Sequence, residues 1–549
     1  MSEQTAPRGP VLDEEQLDRL ARYGAPERVE AGRSLYATGD DSYDFFVLLT
    51  ASVDIVRDAT ALEPERLIYR GGPGDFLGEL NLLTGQRVYL TARVVSAGEV
   101  VRLGAAALRR AMAEQGDIAE SLLAAFRQRR DVFRAAAGSV LEIVGRPDTA
   151  DTRELRTYAE QMLLPHSWHS TTSDHGHSLM ASAALTTDDL PAAVIGGSVL
   201  RRAKPATVAG ALGLTYRPDD RPVDIVVVGA GPAGLAAAVY AASEGLVTVL
   251  LDRTGPGGQA AKSPRIENYL GFPDGISGAD LARLAMLQAL KFGVRICSPS
   301  IVTGLELDDH GQPAVLLDDG VRITCRAVVA ATGARYRRLD VPRWAAFEES
   351  GCIQYAATEL DIRRLEGQPV MVVGGANSAG QAALSLAAGG ATVNMITRGA
   401  DIAARMSAYL ADRIRAHPRV RVFTGATVRE LAGDATLTSV IMEGPDGRRE
   451  RLDCRALFCF IGADPVSAWL TGVARDDDGF VLTDSRVLAG ASGAPLPFQT
   501  SAPRVFAIGD LRSGSAKRVA TAVGDAAAAL SSIHAVLARD GTGQDPAQP

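Results

Sequence analysis

Asp224-Ile225-Val226-Val227-Val228-Gly229-Ala230-Gly231-Pro232-Ala233-Gly234 is the stretch on which the reading of this chain turns. Its apolar run has the composition of a parallel strand buried on both faces, and it passes straight through glycines into an Ala-rich helix over 235–244. Glycines at G-x-G-x-x-G spacing between strand and helix form a dinucleotide cradle. Gly229 makes the tight turn and Gly231 lets the backbone approach a pyrophosphate. The helix starts at Pro232, and the free N–H groups of Ala233 and Gly234 face the negative charge. The next strand, 247–251, ends on Asp252, 23 residues past Gly229, where an acid accepts hydrogen bonds from an adenosine ribose.

A second unit of the same kind starts at Val370-Met371-Val372-Val373 and continues Gly374-Gly375-Ala376-Asn377-Ser378-Ala379-Gly380. Ala376 stands where the second glycine belongs, so a pyrophosphate is expected to sit slightly farther out. Thr397-Arg398 follow the second strand in place of an acid. Arg398 suits a 2′-phosphate, which predicts NADPH rather than NADH. Two such folds imply two dinucleotides, and FAD with a pyridine nucleotide is the usual pairing.

The bulk properties agree with a multidomain α/β protein. A chain of 549 residues exceeds one ordinary core, and 56 glycines with only 5% aromatics suit close helix–strand packing. A net charge of −8 disfavours nucleic-acid binding. No apolar run reaches the roughly 18 residues of a membrane span. Residues 1–10 are polar and lack a signal-peptide core, so a cytoplasmic protein is expected. Cys297, Cys325, Cys352, Cys454 and Cys459 include no C-x-x-C pair, and each is expected to be a small core residue.

Several further motifs come in one order: Gly257-Gly258-Gln259, Ile266-Glu267-Asn268-Tyr269-Leu270-Gly271-Phe272-Pro273, Ala331-Thr332-Gly333-Ala334, Phe460-Ile461-Gly462 and Val505-Phe506-Ala507-Ile508-Gly509-Asp510. With the two dinucleotide units they resemble thioredoxin reductase over residues 222–536. The resemblance implies that Gln259 and Asn268 lie near a flavin ring and that Asp510 binds the ribitol chain of FAD. It also implies cofactor contacts from Gly258, Thr332, Gly333 and Gly509. Lys517-Arg518-Val519 departs from the family's Arg-Gln-Val/Ala, which loosens the flavin-edge contacts of Arg518 and Val519. A homodimer is expected. The main departure precedes the second unit. Where the family carries Tyr-Cys-Ala-Thr-Cys-Asp, this chain reads Tyr355-Ala356-Ala357-Thr358-Glu359-Leu360. Ala356 and Glu359 occupy the places of the redox cysteines, and neither can relay electrons. No catalytic residue is therefore assigned.

Upstream, short β-prone runs at 34–36, 45–49, 53–56, 67–69, 90–95 and 100–103 alternate with turn signals and predict a small antiparallel barrel or jelly roll. A helix is expected over 105–133. Phe76-Leu77-Gly78-Glu79-Leu80-Asn81-Leu82-Leu83 resembles the phosphate-binding cassette of cyclic nucleotide-binding domains, which makes Gly78 and Glu79 candidate contacts to a small ligand. Val88 falls where that family places its phosphate-binding Arg, and Arg87 lies one residue early. Side chains alternate faces in extended chain, so Arg87 is expected to point away. Residues 138–216 resemble a glutaredoxin or thioredoxin fold, with Pro191 at the cis-proline place and Asp148 and Asp151 where its thiols belong. His166, His169, His175 and His177 fit no metal-spacing template and read as loop, and no metal is expected.

The expected domains are 1–135, 138–216, 222–340 joined to 462–536, and 341–461. The expected activity is hydride transfer from NADPH to FAD, then direct electron transfer to an unknown acceptor: a quinone, a ferredoxin-like protein, a low-molecular-weight disulfide or oxygen. Two alternatives stand: a ligand-regulated redox sensor, and a true thioredoxin–disulfide reductase in which Cys352 or Cys459 substitutes.

Overall fold

The computed structural model describes residues 12–59, 64–78, 87–88, 90–136, 141–147, 149–218, 221–263, 265–266, 268–355, 357, 359–487 and 495–542. Glu79, Asp148 and Ala356 lie outside the described residues.

The N-terminal part is built from two four-stranded antiparallel sheets. One runs Ala25–Val29, Gly98–Leu103, Phe45–Leu48, Phe76–Leu77, and the other Ser34–Tyr36, Thr91–Ser96, Ser52–Arg57, Arg66–Gly71. Phe45 and Phe76 stack in the core, with ring centroids 5.3 Å apart. Strand Ala25–Val29 was not legible in the sequence. It contains Pro26 and sits at a sheet edge, where a missing N–H is tolerated. The single helix expected over 105–133 is two helices, Ala105–Glu114 and Gly116–Ala136. The chain leaves helical geometry at Gln115, beside Gly116, a poor helix interior residue.

The middle segment carries a mixed sheet in the order His166–Ser170, Leu141–Gly145, Ala192–Ile195, Ser198–Leu200. The first pair is parallel and the others antiparallel. Helices Ala150–Gln161, Asp174–Ser182 and Pro205–Leu212 accompany it, and the Leu190–Pro191 bond is cis. The loop expected around the histidines is in fact strand His166–Ser170 and helix Asp174–Ser182. The polar composition hid a strand whose place is fixed by Leu141–Gly145, a partner buried at every position.

The C-terminal half holds two Rossmann-like units. In the first, Arg295–Cys297, Thr248–Leu251, Val223–Val228, Arg322–Ala330 and Val505–Ala507 pair in parallel. Pro313–Leu317 and Val302–Leu307 extend this sheet antiparallel. In the second, Ile353–Gln354, Ala456–Cys459, Pro369–Val373, Thr392–Thr397 and Val420–Thr424 are all parallel. A two-stranded ribbon, Ala334–Tyr336 with Ala463–Pro465, joins the units where the chain crosses between them.

The final helix, Val519–Thr542, corrects one expectation, because it contains a stretch long and apolar enough to span a bilayer by length and composition. That apolarity has a local cause. The helix packs on helix Pro232–Ser243 and buries Ala522, Ala526, Ala529, Leu530, Ile533 and Leu537. The three segments are not beads on a string. One hydrophobic cluster runs from Phe45 through Leu155 to Ile225 and Leu290, and the Tyr158 hydroxyl donates to the Ser298 carbonyl at 2.8 Å.

Candidate functional site

Steric room assigns a separate task to each glycine of the first turn. Gly229 has φ +103°, and a Cβ there would lie 2.4 Å from the Ala331 carbonyl oxygen. A Cβ on Gly234 would lie 1.7 Å from the Gly229 oxygen, so this glycine lets helix and strand close on each other. Gly231 is different: its Cβ would meet nothing nearer than Gly258 Cα at 3.9 Å. Helix Pro232–Ser243 begins there with no side-chain cap, leaving N–H groups for an anion. The open space over Gly231 and those uncapped donors fit a dinucleotide pyrophosphate.

Asp252 ends strand Thr248–Leu251 as expected, but its carboxylate is already engaged. It accepts from the N–H groups of Ala230 at 2.7 Å, Thr254 at 2.8 Å and Gly255 at 2.9 Å. Its observed role is to clamp the glycine turn to the next loop. Thr332 donates to the Val466 carbonyl at 2.6 Å, and Gly333 holds φ +65° at the crossing to the second unit. Gly509 donates its N–H to the buried Asp525 at 3.0 Å. Burial pushes the neighbouring Asp510 carboxyl above the usual carboxylate range, and the charge of Asp525 adds to this while Lys517 and Ser515 oppose it.

In the second turn Gly374 has φ +144°, with Phe460 O only 2.4 Å from where a Cβ would lie. Ala376 caps helix Asn377–Ala388 without a side-chain bond. Asn377 accepts from the Ser407 N–H at 2.8 Å, and Ala379 is buried. Gly375, Ser378 and Arg398 line a cleft of about 2420 Å³ between the units, and Arg405 lines it too. Arg398 and Arg405 are exposed, and neither has an ion pair among the described residues. Arg405 escaped the sequence reading because it lies seven positions past Arg398, beyond the short helical turn Ile402–Ala404.

The cleft unites the two halves. Gln259, Asn268, Arg518 and Val519 reach it from the first unit, opposite Gly374 and Gly375 of the second. Gln259 donates to the Ala334 carbonyl at 3.3 Å. Gly229, Gly231, Asp252 and Asp510 do not line the cleft but follow the strand ends of the first unit. Tyr355 and Ala357, which flank Ala356, are on the cleft wall, and Glu359 opens helix Glu359–Arg364 behind them. Tyr355 stacks on Tyr336 at 4.6 Å and donates to Glu348 at 2.7 Å, and burial pushes its phenol up to about 12.

All five cysteines are free and buried. Burial raises the thiols of Cys297, Cys325, Cys454 and Cys459 to about 12, so each stays protonated at neutral pH. Cys459 touches the cleft, whereas Cys352 accepts from the Leu437 N–H at 3.3 Å within the core.

In the N-terminal barrel Gly78 has φ +152° and packs so closely on Phe45 that a Cβ would lie 2.5 Å from its ring. Val88 is 5% exposed, whereas Arg87 turns outward to Asp41 at 3.0 Å.

Residues 223–526 match the pyridine nucleotide-disulphide oxidoreductase family, and residues 26–115 match the cyclic nucleotide-binding domain. The chain is 31% identical over 307 residues to a thioredoxin reductase of Treponema pallidum, covering 56% of this chain and 94% of that one. It is 32% identical over 308 residues to a thioredoxin reductase of Mycolicibacterium smegmatis, with the same coverage of 56% and 94%. Among solved structures, thioredoxin reductase from Streptococcus pyogenes aligns with a TM-score of 0.52 at 30% identity, over 58% of this chain and 100% of that one.

Proposed function

The chain belongs to the pyridine nucleotide-disulphide oxidoreductase family, and from that premise we propose that it passes electrons from NADPH through FAD directly to an acceptor, without a redox-active disulfide. Family members use FAD and NADPH, and this chain is an FAD-dependent NAD(P)H oxidoreductase with an N-terminal cyclic nucleotide-binding domain. The proposal concerns the acceptor and the route to it.

Gly229, Gly231 and the start of helix Pro232–Ser243 would hold the FAD pyrophosphate, with Thr332, Gly333, Gly509 and Asp510 along the same strand ends. Gln259 and Asn268 would border the flavin ring. Gly374, Gly375, Asn377 and Ser378 would hold the nicotinamide dinucleotide, with Arg398 and Arg405 on its 2′-phosphate. Bound FAD supplies a two-electron acceptor for the NADPH hydride and a donor for the second substrate. The observation that carries the reading is the cleft wall. Tyr355 and Ala357 border the cleft at the place of the family's cysteine pair, and the one thiol among its described residues, Cys459, is held protonated. Thiol relay needs a thiolate and a partner sulfur.

Steady-state NADPH oxidation with a quinone, a ferredoxin-like protein, a low-molecular-weight disulfide, oxygen and thioredoxin tests this. Turnover with one of the first four and none with thioredoxin is expected, and turnover with thioredoxin alone contradicts it. A homodimer located in the cytoplasm completes the proposal, and light scattering of the purified protein checks the oligomeric state.

A second reading, a ligand-regulated redox sensor, is favoured by one contact. Helix Ala105–Glu114 of the N-terminal part packs on helix Gly278–Lys291 of the FAD unit. That reading expects a small ligand of the barrel to change the rate of flavin reduction.

A further inference from the structure

The middle segment contains a cluster that the redox reading does not use. Glu142 lies on strand Leu141–Gly145, His169 on strand His166–Ser170 and His175 in the first turn of helix Asp174–Ser182. Their ligand atoms all fall within 4.8 Å of one another. Glu142 Oε1 is 3.8 Å from His169 Nε2 and 3.8 Å from His175 Nε2, and the two imidazole rings are 4.2 Å apart. Spacing along the chain hid this group, because Glu142 comes from a different strand.

Two features argue against an ordinary polar contact. First, a separation of 3.8 Å exceeds hydrogen-bond length. Secondly, the Glu142 side chain is only 10% exposed, and among the described residues nothing donates a hydrogen bond to its carboxylate. A carboxylate this little exposed gains from a neighbouring cation. We propose that Glu142, His169 and His175 bind one divalent transition-metal ion with the imidazole–carboxylate preference of Zn²⁺.

The two carboxylate–imidazole separations are close to what a metal needs. Zinc bonds of about 2.0–2.1 Å place tetrahedral ligand atoms about 3.4 Å apart. The observed 3.8 Å separations therefore need to contract by about 0.4 Å. His175 has the freedom to supply that movement, since its side chain is 56% exposed. Ser167 Oγ shares a 3.0 Å hydrogen bond with His169 Nε2, which a metal on that nitrogen would displace. Three protein ligands leave the fourth position to water or an outside ligand, and bound metal would fasten helix Asp174–Ser182 to the sheet.

The test is equilibrium dialysis of the untagged, FAD-loaded full chain against Zn²⁺, with metal read by mass spectrometry and FAD content confirming the fold. About one Zn²⁺ per chain is expected at micromolar free metal. His175→Ala and Glu142→Gln should each lower affinity beyond the roughly 10- to 100-fold typical of losing an outer-sphere partner. His417→Ala, far along the chain, should leave binding unchanged. His175 is exposed, so its variant keeps the test valid if the buried Glu142 variant fails to fold. Absence of bound Zn²⁺, or stoichiometry and affinity unaltered in His175→Ala, overturns the proposal.

Discussion

Arg398 and Arg405 are two exposed guanidinium groups on the wall of the cleft, close to the second glycine turn and without ion pairs among the described residues. Elsewhere the chain pairs its surface arginines freely, as in Arg415 with Asp401 at 2.7 Å. Two such cations beside the second glycine turn would suit a dianionic 2′-phosphate. Arg398→Ala should raise the KM for NADPH by about 10- to 100-fold, the loss of a charged hydrogen bond, and leave the KM for NADH nearly unchanged. Equal effects on both cofactors would remove Arg398 from the phosphate site. In the first turn Gly231 faces open space while its neighbours Gly229 and Gly234 are sterically locked. Gly231→Asp should therefore fold but purify colourless, because the added carboxylate meets the pyrophosphate instead of protein. A yellow Gly231→Asp protein with a full complement of FAD would show that the pyrophosphate lies elsewhere.

At the scale of elements, the segment Arg87–Val88 explains what the N-terminal barrel is expected to bind. Val88 is buried among core side chains while Arg87, one residue before it, pairs with Asp41 at the surface. A cyclic phosphate entering near Gly78 would find an apolar residue where a cation is needed. Calorimetry should give no cyclic AMP binding at micromolar concentrations, and a constant in that range would require Arg87 to leave Asp41. Elements differ in how much of them the sequence reveals. The two glycine turns were legible because their chemistry is local: Gly229 and Gly374 both adopt positive φ against a carbonyl oxygen, and spacing alone encodes that. Strand His166–Ser170 was not legible, since its polar residues become a strand only beside Leu141–Gly145, some 25 residues upstream. The same long-range pairing kept Glu142 and His169 from being read as neighbours. Asp252 shows a subtler gap. Its position was readable, but its three backbone hydrogen bonds were not, because they depend on how the following loop folds back.

In the whole molecule, the two dinucleotide units flank a cleft with no reactive thiol among its described residues, and every cysteine is buried. Burial lifts Cys297, Cys325, Cys454 and Cys459 from the ordinary 9.0 to about 12. Because the folded state holds these protons more tightly, their contribution to stability is complete below about pH 9 and is lost between about pH 9 and 12. Iodoacetamide at pH 8 should therefore label the native protein slowly and label it fully once it is denatured. Rapid labelling of one native cysteine would identify a thiol that the structure holds out of reach. In the proposed route electrons leave the flavin without passing through sulfur. The direct test is a variant with Cys297, Cys325, Cys352, Cys454 and Cys459 all replaced by serine, assayed for NADPH-dependent flavin reduction and for turnover with the best non-disulfide acceptor. Some loss of stability is expected from hydroxyls placed in the core. Both rates should match the parent protein per bound FAD. A variant that binds FAD and is reduced by NADPH at the parent rate, yet has lost turnover, would contradict direct transfer and reveal a thiol relay.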